Sequence, residues 1–332
     1  MRNTALSRRS LIAFAAATVV SSLLAPAASA AGTECTWQVE VLPVQEGMGS
    51  GNLRITGVDG QGNVSGFYAP NRTDHTLVRW TAAGLEVVPR PEGAGKFVTI
   101  AGNASGVVVG TVDRPGTSSV LMTHAPGVGY RELPTPAGYD NVAAKDINGR
   151  GDVLGRAYTP TTFKRVAVLW RADGSAPEVI APAEVRSPDP VAIADDGTVL
   201  LDSSETPYLW RSGVLTALPD WGYTVYPRGL TRDGVITSRL YDSPRTSWKW
   251  HEATGVNEQF SVAGVIDAVN EDGLAVGYLP DGNYTGAVWQ GTKFLTALPL
   301  PTGAFNGQAG AVGEGGALGG FAGGKAVRWT CH

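Results

Sequence analysis

Ala144-Lys145-Asp146-Ile147-Asn148-Gly149-Arg150-Gly151-Asp152-Val153-Leu154-Gly155, followed after a polar loop by Val166-Ala167-Val168-Leu169-Trp170, is one copy of a pattern that recurs along the chain. An apolar strand runs into a polar Gly turn, a second apolar strand ends on Gly, and a third ends on Trp. Tryptophans at the third position are Trp80, Trp170, Trp210, Trp250, Trp289 and Trp329, the last five spaced by 40, 40, 39 and 40 residues. The gap of 90 between Trp80 and Trp170 leaves room for one further copy, with its Trp replaced near Thr123 in Val120-Leu121-Met122-Thr123. Seven units result.

The turn also recurs, as Asp59-Gly60-Gln61-Gly62, Asn103-Ala104-Ser105-Gly106, Asp195-Asp196-Gly197, Arg232-Asp233-Gly234, Asn270-Glu271-Asp272-Gly273 and Gly313-Glu314-Gly315-Gly316. Asn, Asp and Gly tolerate the positive φ of tight hairpins, so each copy reads as a hairpin. A last short strand follows each Trp, as in Val214-Leu215-Thr216-Ala217-Leu218. Four short strands in about 40 residues are the content of one propeller blade, and the spacing predicts an all-β, seven-bladed β-propeller. Continuous rather than alternating apolar runs fit blades covered on both faces. Gly66, Gly110, Gly155, Gly277 and Gly320 close the second strand in five copies, where Leu201 and Ser238 stand in copies four and five.

These residues resemble the HAF-type repeat of secreted bacterial proteins: a small residue, Ile-Asn, a Gly turn, Val-Val-Gly, then a strand ending Leu-Trp. Residues 144–155 with Leu169-Trp170 are the nearest copy, and the resemblance spans residues 55–329. No copy holds the His-Ala-Phe triplet; Thr76, Val166, Thr206, Thr246, Thr285 and Lys325 stand four before Trp. The resemblance implies a secreted, β-propeller-like protein with no generally established activity.

The seventh copy stops at Arg328-Trp329-Thr330-Cys331-His332 without an outer strand. Cys35-Thr36-Trp37-Gln38-Val39-Glu40-Val41-Leu42-Pro43 ends in the Leu-Pro that also closes outer strands at Leu133-Pro134, Leu218-Pro219 and Leu298-Pro299. Pairing this segment with the Trp329 strand completes the last blade and brings Cys35 beside Cys331, the only two cysteines. An intramolecular disulfide is expected, two free thiols or an intermolecular bridge being the other readings.

Arg2, Arg8 and Arg9, an apolar run over residues 11–24 and Ala28-Ser29-Ala30 have the three parts of a secretory signal cleaved after residue 30. Ser7-Arg8-Arg9-Ser10-Leu11-Ile12 also resembles a twin-arginine signal. The run is short for a membrane span, and no integral membrane anchor is expected. A single propeller domain, extracellular and monomeric, is expected over residues 31–332. With 44 Gly and 21 Pro the chain is too turn-rich for a helical fold. Its net charge of −4, more negative once the signal arginines go, makes nucleic acid a poor partner.

Chemical motifs are weak. Gly319-Gly320-Phe321-Ala322-Gly323-Gly324-Lys325-Ala326 approaches a phosphate loop, but Ala326 has no hydroxyl for Mg²⁺ and the segment lies in a hairpin. Arg150-Gly151-Asp152 spells an adhesion tripeptide within a repeat turn. His75, His124, His251 and His332 lack metal-ligand spacing, and there is no Gly-x-Ser-x-Gly turn. No metal, cofactor or catalytic residue is assigned.

The loops between blades, with those joining second to third strands, share one face. They carry Arg72, Asp74 and His75; Asp113 and Arg114; Lys164 and Arg165; Asp242 and Arg245; Asp281 and Tyr284. They also carry the aromatic insert over residues 220–228, from which Asp220, Trp221, Tyr223, Tyr226 and Arg228 are taken as candidate ligand-binding residues; packing over a blade edge is the other reading. The preferred function is a non-enzymatic scaffold that binds a carbohydrate, peptide or cell-surface protein through this face. The alternative is a lyase or glycoside hydrolase with carboxylates and His75 converging near the channel, and a third reading is a structural module of the cell surface.

Overall fold

The computed structural model describes residues 35–332 apart from 115, 117, 181–184, 186, 187, 204, 205, 221–223 and 240–244. The expected signal segment lies outside the described residues. Among those described, no helix is long and apolar enough to cross a membrane.

Seven four-stranded antiparallel sheets form the blades of a ring, as the repeat predicts. Their inner strands are Leu53–Val58, Lys96–Gly102, Asp140–Ile147, Asp189–Ile193, Tyr226–Thr231, Val265–Val269 and Gly307–Val312. Six blades run in chain order from channel to rim. In the seventh, the outer place is taken by the N-terminal strand Trp37–Val41, paired with Lys325–Cys331 in the register Trp37↔Cys331 and Val39↔Trp329. Thr36 and His332 exchange main-chain hydrogen bonds of 3.1 and 3.3 Å beyond the ladder, and both cysteines are disulfide-bonded.

Each seam between blades has its own apolar core. Between blades two and three, for example, Val109, Leu121 and Leu133 meet Val142, Val153 and Trp170. This is why the strands read as continuous apolar runs: every sheet is covered on both faces. The tryptophans are the seam anchors, with Trp80, Trp170, Trp289 and Trp329 at most 2% exposed. Three of them tie their blade to the one before it. Trp80 Nε1 donates to Pro43 O at 2.7 Å, Trp170 Nε1 to Pro134 O at 2.7 Å and Trp329 Nε1 to Pro299 O at 2.8 Å. The recurring Leu-Pro and the recurring Trp are thus two ends of one contact.

The predicted turns form, with Gly62, Gly106, Gly151, Gly197, Gly273 and Gly316 at φ between 73° and 89°. Turn asparagines do double duty. Asn148 Oδ1 accepts from Asp152 N at 2.9 Å while its Nδ2 donates to Ala194 O of the next blade at 3.0 Å; Asn103 and Asn270 make equivalent links to Asn148 O and Gly313 O.

One regularity is invisible in composition. Every inner strand carries a β-bulge at the same repeat position, the extra residue being Thr56, Ile100, Lys145, Val191, Arg228, Asp267 or Gly310. The bulge presses the inner strand onto the second one. A Cβ on Gly66 would sit 1.9 Å from Arg54 O, and one on Gly277 1.9 Å from Val265 O, so glycine is required there. In blade five the equivalent residue is Thr237, opposite Pro227, and not the expected Ser238, which lies one position further along the ladder. Blade four has Leu201 opposite Pro190, so glycine is missing in the two blades whose inner strand has proline at that register.

Candidate functional site

A bulge leaves one residue outside the ladder and re-aims its side chain. Ile100, Lys145, Val191, Arg228 and Asp267 line the central channel, a cavity of about 290 Å³. Five of the seven blades thus contribute their bulge residue to the channel, and those of blades five and six are an arginine and an aspartate.

Towards the loop face these two open into a mouth completed by Tyr278, Tyr284 and Gln308. Gln308 Nε2 donates to Asp267 Oδ2 at 2.5 Å. Burial raises the Asp267 carboxyl above its ordinary value, against the hydrogen bond from Gln308 and the charge of Arg228. Tyr278 is also raised, first by burial and then by Asp267. Among the described residues the Arg228 side chain makes no hydrogen bond, and its Nε is buried without a partner. A guanidinium carries five donors and no acceptor, so the mouth presents a ready cationic fork.

The tyrosines are held by loop chemistry. Tyr278 and Tyr284 meet edge to face with centroids 5.3 Å apart. Tyr284 has φ of 55° and is 50% exposed, a conformation that costs free energy for an aromatic residue unless its surroundings impose it. Asp281 imposes it. Its Oδ1 accepts from Asn283 N at 3.0 Å and Thr285 N at 3.3 Å, and its Oδ2 from Thr285 Oγ1 at 2.5 Å. Two more exposed aromatics share the loop face: Phe163, 69% exposed with φ of 51°, and Phe305, 74% exposed. Beside the mouth, Arg156 and Arg165 each approach Asp189 at 3.4 Å, and Asp189 pairs across the ladder with Asp202, whose carboxyl is raised by burial.

Of the five candidate ligand residues, Trp221 and Tyr223 lie outside the described residues. Asp220 is exposed on the loop. Tyr226 and Arg228 belong to the inner strand Tyr226–Thr231 and not to the inserted loop, because Pro227 is accommodated near the start of a strand beside a bulge. Arg228 reaches the channel; Asp267, Tyr278 and Gln308 are additions to the expected set. The signal for Asp267 was in the sequence, three residues before Asn270, at the same offset as Lys145 before Asn148.

Several other loop-face charges are paired. Asp74 pairs with Arg90 at 2.9 Å, Asp113 with Lys96 at 2.7 Å and Arg114 with Glu132 at 2.9 Å. His75 stacks on Phe67 at 5.3 Å, burial lowers its pKa, and neither it nor Asp74 lines the channel or the mouth. Asp242 lies outside the described residues. In Arg150-Gly151-Asp152 the aspartate is 5% exposed and accepts from Ala172 N at 2.9 Å, so it closes the repeat turn. Residues 319–326 form the hairpin between Leu318–Ala322 and Lys325–Cys331.

Asp146 is a half-buried residue of the channel wall whose carboxylate accepts from Ile147 N and from Ile193 N of the next blade, both at 2.9 Å. Burial raises it to about 6 from an ordinary 3.8, the two amides opposing. The folded chain therefore holds a proton that the unfolded chain has released, and stability falls as pH rises from near 4 to near 6. Unfolding free energies of the wild type minus those of Asp146→Asn are expected to drop by roughly 2 kcal/mol over that window. A difference independent of pH would show that Asp146 titrates normally.

Seven blades and a last blade closed by the N-terminal strand define a seven-bladed β-propeller. Solved structures of this architecture are similar to it throughout. A streptogramin B lyase shares 12% identity, with 89% of this chain and 98% of that one covered and a TM-score of 0.52. An oligogalacturonate lyase from Vibrio parahaemolyticus shares 10%, covering 90% and 96% at 0.55. The β-propeller domain of the Trilobed protease from Pyrococcus furiosus, described as having an open velcro topology, shares 9%, covering 84% and 94% at 0.56. At such identities the likeness is one of fold. No protein-family model and no curated protein matches the chain by sequence.

Proposed function

We propose that this chain is a secreted binding propeller, of the HAF-repeat kind its motifs resemble, that takes a saccharide at the loop-face mouth. The observation that carries this reading is Arg228, an unpartnered guanidinium at the channel mouth beside Asp267, Gln308 and two tyrosines. Fixed polar groups with exposed rings match a ligand that offers hydroxyls on its edges and C–H surfaces on its faces. Phe163 and Phe305 extend the apolar contact around the face.

A screen of the mature chain against cell-wall glycans and polysaccharides tests it. Arg228→Ala and Tyr284→Ala are expected to weaken the best binder at least ten-fold while changing unfolding free energy by less than about 1 kcal/mol. Equal binding by both variants would place recognition elsewhere. The raised Asp267 carboxyl beside Tyr278 favours an enzymatic second reading, in keeping with the lyases of the same fold. Turnover of a bound glycan, lost in Asp267→Asn with binding retained, would establish it.

A further inference from the structure

On the opposite face, at the seam of blades one and two, lies a cavity of about 320 Å³ lined by Asp59, Gln61, Ser65, Arg79, Thr81 and Ser105, among others. Arg79 immediately precedes the blade-one Trp and is 6% exposed. Its two hydrogen bonds both leave Nη2 for main-chain carbonyls, Gly106 O at 2.8 Å and His124 O at 3.3 Å. Its Nε is buried without a partner. An enclosed guanidinium hydrogen-bonded only to carbonyls, through one nitrogen, has its charge offset only at a distance, by Glu86 and Asp59, and burial lowers its pKa.

Within the same molecule there is a direct comparison. The residue before Trp is cationic in two other blades, and each of those has a carboxylate: Lys249 Nζ meets Asp233 at 2.6 Å and Arg328 Nη2 meets Glu40 at 2.5 Å. Glu86 stands opposite Arg79 in the ladder as Glu40 stands opposite Arg328 and lines the same cavity, where its charge acts on Arg79, but it is exposed and, among the described residues, closes no ion pair with it. The oxygens of Asp59 are engaged by Gln61 N, Asn63 N and Asn63 Nδ2 at 2.8 to 2.9 Å. His124, pulled down to about 4 by burial and by Arg79, is neutral near pH 7 and adds no competing cation. Thr81 Oγ1 accepts from Ala83 N at 3.2 Å, which leaves its O–H to donate.

We propose that this cavity is a second ligand site, independent of the mouth, in which Arg79 binds a small carboxylate and the hydroxyls of Ser65, Thr81 and Ser105 supply further donors. The carboxylate takes the place that Glu40 fills beside Arg328. A guanidinium suits a planar carboxylate because its parallel N–H groups match both oxygens.

The experiment is calorimetric titration of the full chain with acetate and with succinate at constant ionic strength, set against chloride and inorganic phosphate. It is run in an Arg228→Ala background so that the mouth guanidinium does not contribute, which separates this site from the function proposed above. Saturable carboxylate binding is expected, at least ten-fold weaker in Arg79→Gln and several-fold tighter in Glu86→Gln, which removes the competing carboxylate and leaves the buried cation untouched. If Arg79→Gln does not fold, the Glu86→Gln gain and a several-fold loss in Thr81→Val decide the matter. Absence of saturable binding in both the background chain and Glu86→Gln overturns the proposal. So does undiminished affinity in a folded Arg79→Gln, or a preference for phosphate over both carboxylates.

Discussion

Replacing Cys331 with Ser is expected to lower the unfolding free energy by roughly 5 kcal/mol, the entropic value of a cross-link that encloses nearly the whole chain. The bond joins Cys35 to Cys331 at one end of the ladder that closes the ring, beside the pair Trp37↔Cys331. Without it, the N-terminal strand must find its partner from an open chain. Strand pairing, the burial of Leu42 and the Trp80-to-Pro43 hydrogen bond still favour closure. The variant should therefore fold, with its seventh blade exchanging amide hydrogens first at Trp37–Val41 and Lys325–Cys331. Urea unfolding of the oxidised, reduced and substituted proteins measures the effect. A loss below about 1 kcal/mol would mean that non-covalent pairing alone keeps the ring shut.

Trp170→Ala is expected to cost about 3 to 5 kcal/mol, because a side chain 2% exposed leaves a cavity at a seam that cannot collapse without shifting a whole blade. Trp289→Ala belongs in the same range, its side chain being fully buried. The pair separates packing from hydrogen bonding when each is changed to Phe. Trp170 Nε1 donates to Pro134 O, whereas Trp289 Nε1 is buried with no partner. Trp170→Phe should thus be the more damaging by about 0.5 to 1.5 kcal/mol, the net worth of a hydrogen bond to a partly solvated carbonyl. Equal losses would show that the indole hydrogen bond contributes nothing to the seam.

Blade number, strand count and ring closure were legible because each rests on residues that only one local structure explains. Trp at forty-residue intervals, Gly in the turns and Leu-Pro after the outer strand all recur, and the Leu-Pro strand near the N-terminus matched the outer strand lacking after Trp329. The bulge was not legible, since an extra residue in a strand leaves no compositional mark. Its absence from the sequence reading displaced Ser238 by one position and hid Asp267, whose neighbours Ile266 and Ala268 look like ordinary strand residues. Arg228 was chosen for standing near aromatics on a supposed loop; it matters because a bulge turns it into the channel. His75 and Asp74 drew attention as reactive types, but ring stacking on Phe67 and pairing with Arg90 engage them at the periphery.

The shared bulge also separates two kinds of change in the inner strands. Residues on either side of it carry the ladder and the seams, where substitution is felt through the whole ring. The seven extra residues stand outside the ladder, though Val191 still packs against a seam core and Thr56 donates to Thr99 of the next blade, and they already span a hydroxyl, aliphatic chains, both charges and glycine at Thr56, Ile100, Lys145, Val191, Arg228, Asp267 and Gly310. The five that line the lumen act as the tumblers of a combination lock on an unchanged barrel: a substitution at one of them is expected to alter the lining while the body that holds it stays the same.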